Sequence, residues 1–166
     1  MPLDGSEFAE AALPEAAKLA VLLGGEVVLL RVVPLLASLP PPGAAVWDVS
    51  ALDRLEAAAW PYLRNVAAHC MREYACVCRI VVRLGIPADA ILNSIGEEQA
   101  GLLVMATHAH SNWQRFLMGS VTDRVLRKSP VPVVLLRPHA FPAPEPASNI
   151  QVRSVHGSTH ETAHSR

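Results

Sequence analysis

Apolar residues fall along the chain in two alternating textures. Short, mostly apolar runs occupy residues 26–34 (EVVLLRVVP), 76–84, 102–105 and 131–136. Runs of this kind, rich in β-branched residues, read as strands buried on both faces of a sheet. Between them the apolar positions recur every three or four residues. Phe8, Ala12, Ala16, Leu19 and Ala20 make one such stripe, and Leu52, Leu55, Ala59, Leu63, Val66, Ala67 and Cys70 make a second. Ala88, Ile91, Leu92 and Ile95 give a third helix its inner face. A last helix opens at Gly119-Ser120 and stops at Pro130. Alternation of this kind predicts an α/β fold: a parallel sheet, helices on both faces and right-handed crossovers.

Local signals place the boundaries. Ser6 is suited to cap the first helix, with Glu7 favoured in its first turn by the helix dipole. Pro14 is an irregularity within that helix, and Gly24-Gly25 ends it. Pro61 should kink or split the helix over residues 51–74. Pro87 stands in the first turn of the next helix, where its missing N–H costs nothing. Ser120 and Asp123 have the S-x-x-D spacing of a capping box. Residues 35–50, with Pro40, Pro41, Pro42 and Gly43, read as a surface loop within one domain. That domain spans residues 1–138. Residues 139–166 carry scattered prolines and polar residues without an apolar period, and are expected to be disordered. His156, His160 and His164 lie four apart in that tail, and a solvated tail is the expected reading of them.

Charge narrows the partners. Fourteen Lys and Arg against fifteen Asp and Glu leave a net charge of −1, and no basic stripe appears. Nucleic acid and anionic membrane are therefore poor partners. No uninterrupted apolar run reaches the ~18 residues of a membrane span. Nothing resembles a signal peptide, so a cytoplasmic location is expected. Cys76 and Cys78 sit two apart on a strand and share a face. Small buried residues are the expected reading, with metal ligands as the alternative. No G-x-S-x-G elbow, GxxxxGK[ST] loop or metal cluster of sensible spacing is present. A phosphoryl-accepting receiver domain is excluded too. Asp4 is a lone carboxylate, the 76–84 strand ends in Gly85-Ile86-Pro87, and Arg137 stands where a lysine is wanted.

The stretch 102–138 concentrates the candidate chemistry. Its first strand leads into a polar loop, 107–114, and then to the helix at Gly119-Ser120. Open α/β sheets bind ligands beyond the carboxyl ends of their strands. A helix N-terminus there favours an anion, typically phosphate. An ordinary crossover with nothing bound accounts for the same pattern, and the residues alone leave both readings open.

Ala106, Ala109, Gly119 and Ser120 occupy the four positions of a G-x2-G-x9-G-[ST] pattern, and Pro2, Leu3, Asp4, Gly5 and Ser6 match a P-x-D-G-S turn. In these segments the chain closely resembles the universal stress protein family, over Pro2 to about Pro138. The resemblance implies a doubly wound, mostly parallel, Rossmann-like five-stranded sheet of order 3-2-1-4-5. It implies ATP or another adenine nucleotide as cofactor, with at most slow hydrolysis. Asp4 would lie near the ribose or the triphosphate edge, and backbone at Val32 or Val33, with Val33 taken as the contact, would meet the base. Ala106, Ala109, Gly119 and Ser120 would surround the phosphates. His108 stands where the family often has a histidine near them, and a loop residue bonded to backbone is its plainer reading.

The chain departs from the family in two places. Both glycines of the first half of the pattern are alanines; if position 109 needs positive φ, Ala109 costs about 1 kcal/mol or more. The apolar strand expected before the P-x-D-G-S turn is missing, since only Met1 precedes Pro2. A first strand truncated by a start read too late is the expectation. Residues 131–136 would form the last strand, an apolar edge of the kind that invites pairing, and the family commonly dimerises there. Two function classes follow. One is a nucleotide-binding stress-response module. The other is a dimeric interaction or regulatory protein of the same family without nucleotide.

Overall fold

Pro2 and Leu3 form a strand, although the sequence reads them as part of the turn after one. The structure, a computed structural model, describes residues 1–35, 49–107 and 119–137. Strand β1 (Pro2–Leu3) pairs in parallel with β2 (Val27–Pro34) through Pro2↔Leu30 and Leu3↔Arg31. β2 pairs in parallel with β3 (Cys78–Gly85) along its whole length. β4 (Leu103–Ala106) and β5 (Val133–Leu136) make a second parallel pair. The doubly wound parallel architecture is as expected. Its five strands are hydrogen-bonded as three plus two, with no ladder joining β1 to β4 among the described residues. A strand of two residues offers too little backbone for a ladder on both sides. Before β1, the Met1 ammonium donates to the Val28 carbonyl at 2.8 Å.

Side chains join what backbone does not. Alternation along the strands sends Leu3, Val27, Leu29 and Val104 into one buried cluster. Leu30, Val32, Leu103 and Met105 go into another on the opposite face. Each cluster thus takes residues from both strand sets.

The helices close the two faces. Ser6 caps α1 (Glu7–Glu10), its Oγ accepting from the Ala9 amide at 3.1 Å. The expected single helix is broken here. Pro14 falls in the first turn of a separate α2 (Leu13–Leu22), where its missing N–H is harmless. Helix α3 (Val49–Tyr74) carries Pro61 inside it without ending there. Ala59, Leu63, Val66 and Cys70 bury its stripe, whereas Leu55 is 42% exposed, so the stripe is uncovered at its beginning. Helix α4 (Pro87–Glu97) opens on Pro87 and buries Ala88, Ile91 and Ile95 as expected, together with Ser94.

Helix α5 (Ser120–Lys128) corrects the capping assignment. Gly119, not Ser120, is its N-cap, and among the described residues no side chain caps it. The Asp123 amide donates to the Gly119 carbonyl at 3.0 Å, and the Asp123 carboxylate is held by Arg127 at 2.9 Å. That carboxylate is therefore spent one turn further along the helix. No helix among the described residues is long and apolar enough to cross a membrane. Most of the 35–50 loop and the whole 139–166 tail lie outside the described residues.

Candidate functional site

The chain leaves β1 through Asp4 and Gly5, beside the carboxyl ends of β2 and β4. Gly5 has φ +85°, a conformation that glycine adopts without a Cβ penalty. Its open flank lies on the Arg31 guanidinium, which a Cβ there would approach to 3.6 Å. Arg31 Nη1 donates to the Leu3 carbonyl at 3.2 Å, so the only cation of β2 is turned onto this loop. The Asp4 carboxylate accepts from the amide and the hydroxyl of Ser6. Partial burial opposes its ionisation. The Ser6 bonds and the neighbouring Arg31 outweigh that and hold its carboxyl below the usual value.

A cavity of about 480 Å³ opens at this corner, within the range of small-molecule sites. Asp4 and Phe8 come from the first turn and α1, Arg31 and Val32 from β2. Ala106 closes the end of β4, and Gly119 and Thr122 come from the start of α5. The walls are mainly apolar. Among the described residues its polar groups are a guanidinium, a carboxylate, the Thr122 hydroxyl and the amino end of a helix. Such a mixture can take an anion at one end and sugar-like hydroxyls, or a cation, at the carboxylate.

Three of the sequence-derived positions, Asp4, Ala106 and Gly119, meet in this cavity. Val33 and Ser120 are not among its lining residues. Val33 is 2% exposed, and its neighbour Val32 lines the β2 wall. Successive strand side chains point to opposite faces, so one residue of register decides which valine is seen. His108 and Ala109 lie outside the described residues. Arg31 belongs to no motif that the sequence singles out. A single cation within VVLLRVVP was the available signal, because a charge in a parallel strand must find a partner or a cleft.

Comparison with known proteins agrees with this architecture. The family model described as the Universal stress protein family matches residues 1–137. The universal stress protein MJ0531 of Methanocaldococcus jannaschii is 26% identical over 137 residues, which cover 82% of this chain and 79% of that protein. Its companion MJ0577 from the same organism is 32% identical, but over 57 residues that span 34% of this chain and 35% of that one. Among solved structures, UspA from Lactobacillus plantarum superposes with a TM-score of 0.66 at 25% identity, covering 82% of this chain and 94% of that one. A universal stress protein solved in complex with cAMP gives a TM-score of 0.61 at 20% identity, covering 82% and 93%, a likeness of fold. With the match running from Met1 through the last strand, the chain belongs to the universal stress protein family.

Proposed function

We propose that this protein is a nucleotide-binding module of the stress response, holding ATP or another adenine nucleotide in the cavity at the carboxyl ends of the strands. One observation carries the reading: Asp4, Arg31, Ala106 and Gly119, from four separate segments, line a single cavity. The relative solved with cAMP supports an adenine nucleotide as the class of ligand. Asp4 accepts from the ribose or borders the triphosphate, and the end of β2 around Val32 and Val33 meets the base. Ala106, Ala109, Gly119 and Ser120 surround the phosphates, with His108 beside them and Arg31 as an added cation. The protein works by binding rather than by turnover, with at most slow hydrolysis, as a cytoplasmic homodimer joined through β5.

Ala106 and Ala109, standing where the family has glycines, favour a second reading, a dimeric regulatory protein that no longer holds nucleotide tightly. Calorimetric titration with ATP separates the two. Under the first reading the protein binds, and nucleotide at 100 times its dissociation constant adds ~2.7 kcal/mol of stability. Ala109→Gly tightens binding several-fold by removing a methyl group and an αL penalty of ~1 kcal/mol. Ser120→Ala loses a bond to a charged group, ~1.5–3 kcal/mol. If none of the three proteins binds at millimolar ATP, the site is dead and the second reading stands.

A further inference from the structure

Three cysteines converge at the opposite end of the sheet from this cavity. Cys70 lies in the last turns of α3, Cys76 in the link that follows, and Cys78 opens β3. Their Sγ atoms all lie within 4.8 Å of one another. Sequence pattern paired Cys76 with Cys78 on a strand face. The structure adds Cys70, and the reason is the turn between α3 and β3. Ala75 adopts φ +51°, a left-handed conformation that is costly for a residue with a Cβ. Its amide closes the helix on the Met71 carbonyl at 3.0 Å. This reversal folds the three thiols together within nine residues of chain.

We propose that Cys70, Cys76 and Cys78 form a three-sulfur binding site for a soft d10 metal cation, copper(I) in preference to zinc(II). Sulfurs bound at ~2.3 Å around one ion stand ~4 Å apart, so modest side-chain rotation closes the observed spacing. No nitrogen or oxygen ligand joins the cluster among the described residues. An all-sulfur set of low coordination number suits copper(I), whereas closed zinc sites take four ligands. Cys70 and Cys76 are buried and Cys78 half-buried, so the site is dry at its back and open at one sulfur on an edge strand. As each metal–sulfur bond forms, the S–H it replaces gives its proton to solvent. Burial pushes the Cys70 thiol up to about 12 and raises the other two as well, so the metal-free cluster is a set of neutral thiols. In that state Cys76 Sγ lies 3.5 Å from the Val77 carbonyl and Cys78 Sγ 3.8 Å from the Cys76 carbonyl.

The test titrates the full, reduced, metal-free chain anaerobically with copper(I) against a chromophoric copper(I) chelator, and in parallel with zinc(II) against a zinc dye. The expected result is one copper(I) per chain, held more tightly than zinc. In Cys78→Ser the affinity should fall at least tenfold, ~1.4 kcal/mol. Because Cys78 is half-buried, its serine variant is the least disruptive of the three, and circular dichroism checks that it folds. X-ray absorption of copper-loaded wild type is the second readout, with sulfur scatterers alone expected. Tighter zinc than copper(I) overturns the proposal, as does uptake unchanged in Cys78→Ser. Nitrogen scatterers, pointing to His156, His160 and His164 of the tail, overturn it as well.

Discussion

Arg31 and Asp4 show how much one side chain can decide at this site. Arg31 is tied to the Leu3 carbonyl and lines the cavity beside Asp4, so it offers the site a fixed positive charge. Arg31→Met keeps the length of the stem and removes that charge. ATP binding should weaken by about tenfold or more, the worth of one hydrogen bond to a charged group; titration of a variant with an unchanged circular dichroism spectrum checks this. Asp4 sets a pH dependence. Its carboxyl is held below the ordinary value, so its contribution to stability is complete above about pH 4 and is lost as pH falls through the lowered value. Asp4→Asn should therefore flatten the acid limb of the stability curve slightly, since the group is exposed, and leave neutral pH nearly unchanged; denaturant midpoints measured across the acid range report it. At this scale legibility was uneven. Asp4, Ala106 and Gly119, which the motif positions single out, line the cavity. Val32 was not separable from Val33, because both are apolar residues of a strand buried on both faces and carry no polar alternation to fix the register.

Elements were more legible, because periodicity survives local error. All four strands and the helices read from apolar spacing are present, with ends shifted by a residue or two. The exceptions have physical causes. β1 is too short to show any period. Pro14 begins a helix as well as it disturbs one, so a helix read as continuous became α1 and α2. The capping box is absent because the helix starts one residue earlier than the box needs: Gly119 is the N-cap and Ser120 already lies inside the helix, while the Asp123 carboxylate pairs with Arg127. Pro61 is a sharper case. It lies in the interior of a 26-residue helix, exposed to solvent. There it removes a backbone donor and crowds the carbonyl four residues before it. Pro61→Ala should stabilise the protein by ~1–3 kcal/mol, read as a higher denaturant midpoint at constant slope.

At the scale of the whole molecule, the outer edge of β5 faces no other strand among the described residues. All four of its residues are only half-buried. A second copy pairing there would satisfy backbone that is otherwise left to water. Wild type should sediment as a homodimer at micromolar concentration, and Val134→Lys should shift it toward monomer. Val134 also packs against the core, so the variant counts only if its circular dichroism stays native. The inner boundary of the fold has a different consequence. Between β1 and β4 no ladder joins the two strand sets among the described residues, and the candidate cavity straddles their meeting, with Asp4 and Arg31 on one bank and Ala106 and Gly119 on the other. A seam without a ladder is where a protein opens first, as one cooperative unit. In hydrogen–deuterium exchange, the amides of Leu103 to Ala106 should surrender their protons together and sooner than those of Leu29 and Leu30. A ligand seated across the seam would act as a clasp, slowing exchange on both banks at once, at amides that it never touches.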